Sequence, residues 1–103
     1  YRIGPSEIED CLLAHPAVAT VGVIGKPDSL RGEIVKAYVV LKKEQTSSQA
    51  LVNDLQAFVK ERLATYSYPR EIEFLDALPM TVTGKVIRKE LKARARAEME
   101  VKQ

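Results

Sequence analysis

Leu78-Pro79-Met80-Thr81-Val82-Thr83-Gly84-Lys85-Val86-Ile87-Arg88 is the stretch from which the rest of the chain can be read. A proline, two threonines, a glycine and a lysine precede an amphipathic basic segment. That order predicts an irregular loop running into the start of a helix. Gly84 is free to take backbone angles that a β-carbon forbids, and it lets another molecule come close to the main chain. Thr83 is placed to cap the helix through its hydroxyl, which puts Lys85 in the first helical turn. A cation there meets the positive end of the helix dipole and is disfavoured by up to ~1 kcal/mol. Arg88 and Lys89 add to that charge before Glu90 arrives. Free amide hydrogens with a lysine and an arginine at one helix start would form an anion-binding site. An arbitrary Gly-Lys pair is more often a solvated basic loop whose lysine reaches into water, but the Pro-x-Thr-x-Thr-Gly-Lys order favours the anion site. It is not the phosphate-binding P-loop, which needs a glycine where Pro79 stands and a serine or threonine where Val86 stands.

The 103 residues suffice for one small domain with one core. An apolar fraction of 46% and a charged fraction of 29% are those of a globular protein. The net charge of +2 is too small to argue for nucleic acid, although residues 85–96 hold six bases and one acid. The single cysteine excludes an internal disulfide and fits a reducing compartment. No apolar run approaches the ~20 residues that span a membrane, and no signal peptide is visible. The chain opens at Tyr1-Arg2-Ile3-Gly4-Pro5, without a methionine and in mid-motif, and reads as a piece of a longer protein.

From its beginning, the chain predicts an extended start at residues 1–4, then a helix. Pro5 suits the first helical position. Ile8, Cys11, Leu12 and His15 share one helical face, and Pro16 ends it. Gly4 with Glu7, or Ser6 with Glu9, would cap the start. Cys11 reads as a small core residue and His15 as a helix-end residue, since no second metal ligand is spaced near it. Residues 18–24 and 34–41 are rich in β-branched side chains and most simply pair antiparallel. Their connection, residues 25–32, is longer than a tight hairpin needs, and it carries Asp28, Arg31 and, at its end, Glu33. Long ordered connections are functional more often than short ones.

Residues 42–48 are polar. Leu51, Val52, Leu55, Phe58, Val59 and Leu63 then make one broad apolar stripe, with Asn53, Gln56 and Lys60 opposite, so Lys60 is expected at the surface. Tyr66-Ser67-Tyr68-Pro69 breaks that helix, and Ile72 and Phe74, with Leu75 at the end, form a short third strand. A last helix from about Lys85 has Val86, Ile87 and Leu91 as its apolar face. Past Arg94 little remains to bury, which predicts fraying, most of all over residues 97–103. The order α-β-β-α-β-α predicts an α+β fold: a small three-stranded sheet, mixed if the third strand follows a crossover, with helices packed on it.

Leu-Pro-x-Thr-x-Thr-Gly-Lys-Val-x-Arg resembles the C-terminal lysine motif of the adenylate-forming enzymes, which comprise acyl- and aryl-CoA synthetases, peptide-synthetase adenylation domains and luciferases. The likeness extends to Tyr1-Arg2-Ile3-Gly4-Pro5-Ser6-Glu7-Ile8-Glu9, to His15-Pro16-Ala17-Val18 and to Pro27-Asp28 with Arg31-Gly32-Glu33. Tyr68-Pro69-Arg70-Glu71-Ile72-Glu73-Phe74 is similar to the short- and medium-chain acyl-CoA synthetases in particular. The resemblance implies the mobile C-terminal domain of such a ligase, over residues 1–103, with the large N-terminal domain and the hinge lying upstream.

It further implies ATP with magnesium, a carboxylic acid and CoA as substrates of the whole enzyme, none held stably by this domain alone, which would be inactive by itself. Lys85 would be the catalytic residue and ATP contact of acyl-adenylate formation, with Thr81, Thr83 and Gly84 supporting its loop. Tyr1, Arg2, Gly4, Arg31, Lys60 and Tyr68 would bind CoA after the domain rotates. The partners implied are the enzyme's own N-terminal domain and an acetyltransferase and deacetylase acting on Lys85. No membrane, nucleic acid or metal ligand set is expected. The expected location is the cytoplasm, or the mitochondrial matrix in a eukaryote. The alternative is a free-standing basic module for nucleic acid or a partner protein. Against it, the basic residues come with few aromatics and no RNA-binding signature.

Overall fold

The computed structural model describes residues 4–63 and 68–101. Six elements follow in the expected order: α1 (Pro5–Leu13), β1 (Val18–Asp28), β2 (Gly32–Leu41), α2 (Gln49–Arg62), β3 (Glu71–Phe74) and α3 (Arg88–Val101). β1 and β2 pair antiparallel. β3 returns after α2 to lie parallel to β2, so the sheet is mixed, in the order β1-β2-β3. The fold is α+β.

Successive strand residues point to opposite faces, and this alternation divides the core in two. On one face Val21, Val23, Ala37 and Val39 meet Ile8 and Leu12 of α1 and Leu55 and Val59 of α2. On the other, Ile24 and Tyr38 meet Leu78 and, from α3, Leu91 and Ala95. Gly22 lets α3 settle onto β1. A β-carbon there would stand 2.5 Å from Leu91 Cδ1 and 2.9 Å from Val86 Cγ1.

Local chemistry fixes the helix ends. Pro5 opens α1, and the Gly4 N–H donates to Glu7 Oε1 at 3.2 Å, so the cap is Gly4 with Glu7 and not Ser6 with Glu9. α1 stops at Leu13, ahead of Pro16. His15 then turns inward. Its Nδ1 accepts the Ala17 N–H, which leaves Nε2 to donate to Asp54 Oδ2 of α2 at 2.6 Å. Cys11 packs against the first cluster, and burial raises its thiol pKa against the opposing pull of Arg62. It is a packing residue, as its spacing suggested. Ser48 caps α2 by accepting the Leu51 N–H.

Three expectations are corrected. The connection between the first two strands is short: pairing continues to Asp28 and Gly32, leaving a three-residue tip. Gly25 and Pro27 do not end β1, because β1 is an edge strand, where a missing N–H is tolerated. Asp28 Oδ2 accepts the N–H groups of Leu30 and Arg31, and Gly32 turns at φ +79°. Secondly, α3 begins at Arg88, not at Lys85. Thirdly, α3 continues past Arg94, because what it buries there is largely polar. Ala95 is enclosed, and Glu98 Oε1 lies 2.6 Å from the buried ammonium of Lys36.

Lys36 is the centre of a network on the α3 face of the sheet. Its Nζ also lies 3.1 Å from Glu73 and 3.6 Å from Glu71, which in turn pairs with the buried Lys26 at 2.8 Å. Arg94 of α3 closes the set on Glu73 at 2.9 Å. Burial alone would lower the Lys36 pKa, but its hydrogen bonds with Glu98 and Glu73 outweigh that and hold it above the ordinary value. Burial would likewise raise Glu73, and the bonds from Arg94 and Lys36 bring it below the usual carboxylate value.

Candidate functional site

The lysine loop is built by short-range hydrogen bonds. The Ile87 N–H donates to the Pro79 carbonyl at 2.9 Å, and Met80 and Val86 form an antiparallel bridge just inside. The Thr81 N–H donates to the Lys85 carbonyl, and the Gly84 N–H donates to the Thr81 carbonyl. The reversal needs Gly84 at φ +86°, a region that L side chains avoid. Thr81 Oγ1 accepts the Lys85 N–H at 3.1 Å and lies 2.9 Å from Thr83 Oγ1. A side-chain oxygen thus takes the amide that a helix would have used, and Lys85 stands three residues ahead of α3. This corrects two expectations: Thr83 does not cap the helix, and Lys85 does not occupy its first turn. Lys85 is exposed, and among the described residues its ammonium has no ion-pair partner. It borders a cleft of about 320 Å³ with Glu9, Leu13, Thr20, Met80 and Arg88. Three apolar side chains stand open around it: Leu13 at 47%, Met80 at 43% and Val82 fully exposed.

A second constellation lies at the other end of the sheet. The Lys60 ammonium, from the last turn of α2, sits 4.1 Å from the centre of the Tyr68 ring. The Arg70 guanidinium is 5.1 Å from the same ring, and its Nη1 donates to the Tyr68 hydroxyl at 2.9 Å. The Arg70 N–H donates to the Val35 carbonyl, which places the cluster beside the first half of β2. Arg31 is exposed at the hairpin tip at the same end. Gly4 heads α1, whose first residue, Pro5, borders Gly25 and Glu33. A β-carbon on Gly4 would meet nothing within 4 Å. Two cations at one aromatic ring suit an adenine ring or a phosphate.

The structure therefore brings Lys60 and Tyr68 together, sets Arg31 and Gly4 at their end of the sheet, and holds Lys85 apart. Tyr1 and Arg2 lie outside the described residues. Arg70, which the sequence reading did not single out, joins the Lys60–Tyr68 cluster two positions on from Tyr68. From Thr20, which lines the Lys85 cleft, to Gly25, the partner of Val35 beside the second cluster, is about 17 Å along β1 at the ordinary strand rise. Within α3, Arg88 pairs with Glu9 and Arg94 with Glu73, while Lys89, Lys92 and Arg96 are exposed. Among the described residues no group of three His, Cys, Asp or Glu could hold a metal ion, and no helix is long and apolar enough to cross a membrane.

Residues 7–85 match the AMP-binding enzyme C-terminal domain family. The mitochondrial acyl-coenzyme A synthetase ACSM1 of Homo sapiens is 48% identical over 101 residues, covering 96% of this chain and 18% of the relative. The acetyl-coenzyme A synthetase of Bacillus subtilis is 51% identical over 92 residues, covering 89% of this chain and 16% of the relative. Among solved structures, the Brucella canis acyl-CoA synthetase superposes with a TM-score of 0.89 at 44% identity, over all of this chain and 18% of that one. The anthranilate CoA ligase AuaEII, solved with anthranoyl-AMP, gives a TM-score of 0.83 at 43% identity, over 90% of this chain and 18% of that one. The chain thus spans less than a fifth of the length of these relatives.

Proposed function

This chain belongs to the family of AMP-binding enzyme C-terminal domains, and from that premise we propose that it is the mobile small domain of an AMP-forming acyl-CoA synthetase. In the first half-reaction a carboxylate attacks the α-phosphate of magnesium-bound ATP. This gives an acyl-adenylate and pyrophosphate. Lys85 serves this step by neutralising charge that develops on the attacking carboxylate and the α-phosphate oxygens. A lysine suits the task as a compact charge on a long stem. The open Leu13, Met80 and Val82 around it give the loop an apolar rim with which to meet the large domain. In the second half-reaction the thiol of CoA attacks the acyl carbon and AMP leaves. Lys60, Tyr68 and Arg31, with Tyr1 and Arg2, hold the nucleotide end of CoA, and Gly4 leaves room for the pantetheine arm. Arg70 joins them through its contact with Tyr68.

The observation that carries this reading is the separation of the two constellations. A single pose cannot bring both ends of the sheet to one reaction centre, so the domain turns between the half-reactions. Relatives and structural neighbours include an acetyl-coenzyme A synthetase, a 4-hydroxybutyrate–CoA ligase and an anthranilate CoA ligase. The acid is selected in the large domain. The same reading puts the enzyme in the cytoplasm, or in the mitochondrial matrix of a eukaryote. Acetylation of Lys85 would remove the charge that adenylation needs, and mass spectrometry of the native protein finding Lys85 never modified would count against that regulation.

The test uses the full-length enzyme. Lys85→Ala should lower acid-dependent pyrophosphate release by at least about 100-fold, the scale of losing a charge-stabilising donor. Tyr68→Ala should raise the KM for CoA about tenfold, a loss near 1.4 kcal/mol, with pyrophosphate release unaltered. A Lys85→Ala enzyme that releases pyrophosphate at the wild-type rate would defeat the reading.

A further inference from the structure

Glu9 and Arg88 stand 79 positions apart and meet through both carboxylate oxygens. Arg88 Nη2 lies 2.5 Å from Oε1, and Nε lies 3.1 Å from Oε2. Oε2 also accepts the Val23 N–H of β1 at 2.8 Å, and Nη2 reaches Ser6 Oγ at 3.3 Å. The Glu9 side chain is 13% exposed and that of Arg88 is 38% exposed, so the carboxylate end of the pair is withdrawn from water while the guanidinium stays partly open. A two-point guanidinium–carboxylate contact fixes orientation as well as distance, which a lysine would not. Arg88 is the first residue of α3, and it follows Ile87, whose N–H closes the lysine loop on Pro79. The base of that loop is thereby tied to α1 and β1 together. Among the described residues, Lys85 itself is held only by the loop's own bonds.

We propose that Glu9 and Arg88 are positioning residues for Lys85, and that their pair sets where the lysine arrives when the domain docks for adenylation. The proposal rests on the assignment of Lys85 to that step. Neither residue touches the reactants, and the effect passes through the loop. A misplacement near 1 Å at a reacting centre is enough to cost about 100-fold in rate.

The experiment compares Glu9→Gln, Arg88→Met and Arg88→Lys with Lys85→Ala in the full-length enzyme. Glu9→Gln and Arg88→Met should lower the kcat of acid-dependent pyrophosphate release about 10- to 100-fold. The KM for ATP, and the rate of thioester formation from preformed acyl-adenylate, should stay within about threefold, which marks an effect confined to the first transition state. Arg88→Lys should restore only part of the rate, because the charge returns without the fork. In a Lys85→Ala background, Arg88→Met should cost nothing further. Unchanged pyrophosphate release in Glu9→Gln and Arg88→Met, beside a collapsed Lys85→Ala, overturns the positioning role alone. Equal loss of both half-reactions, or a further loss in the Lys85→Ala background, overturns it as well by showing a general fault in folding or docking. Full pyrophosphate release by Lys85→Ala overturns the assignment of the lysine on which the proposal stands.

Discussion

Lys85 owes its place to two neighbours, Thr81 and Gly84. Thr81 accepts the lysine's own N–H, and Gly84 makes the reversal that brings it there. A β-carbon on Gly84 meets no atom within 4 Å, so the demand is purely one of backbone angle. Gly84→Ala should therefore destabilise the chain by about 1–2 kcal/mol, the penalty of a left-handed L-residue. Urea unfolding of the 103-residue chain measures it, and an unchanged midpoint would contradict it. The order of residues made the loop, its glycine and its lysine legible. It did not show which threonine would bond the backbone, because Thr81 and Thr83 differ only in where the turn places them. The resemblance named Lys60 and Tyr68 together, and the fold sets them in contact. Arg70 was not legible, since only the folded chain puts a guanidinium and an ammonium near one ring.

Among the elements, α2 was the plainest, because a stripe such as Leu51, Leu55 and Val59 needs nothing beyond its own periodicity. β1 was underestimated. Glycine and proline read as breaks in isolation, but an edge strand tolerates Pro27, and the partner strand extends the ladder to Asp28. The start of α3 was misplaced because Val86 bridges to Met80 and does not enter the helix. Its later turns were undervalued because apolar spacing does not reveal a partner such as Lys36. The seat of α3 and of the lysine loop is Gly22. Gly22→Ala would push Leu91 and Val86 off β1, and overpacking of this kind costs about 1–3 kcal/mol. The expected result is a lower urea midpoint with an unaltered slope. A variant as stable as wild type would show that α3 yields freely.

At the scale of the whole molecule, a polar network joins α3 to the sheet, and the Lys85 loop and the Lys60–Tyr68 cluster lie towards opposite ends of it. The Glu73 carboxyl is held below its ordinary value of 4.5, so its contribution is present above that pH and is lost as pH falls through the lowered folded value. Lys36 is raised above 10.5, so its contribution fails only as pH rises beyond that. Stability should therefore fall below about pH 4.5, and Glu73→Gln should blunt that acid limb in pH-dependent urea titrations. An acid limb identical in wild type and variant would remove the network from the account. The two-ended layout was not legible from the sequence, since it depends on which half of each strand faces which loop. The central claim is that these ends serve different half-reactions. Its most direct test is thioester formation from a preformed acyl-adenylate by full-length Lys85→Ala enzyme. The account predicts a rate within about threefold of wild type, because the lysine acts only in the first transition state. A collapse of that rate alongside pyrophosphate release would contradict it.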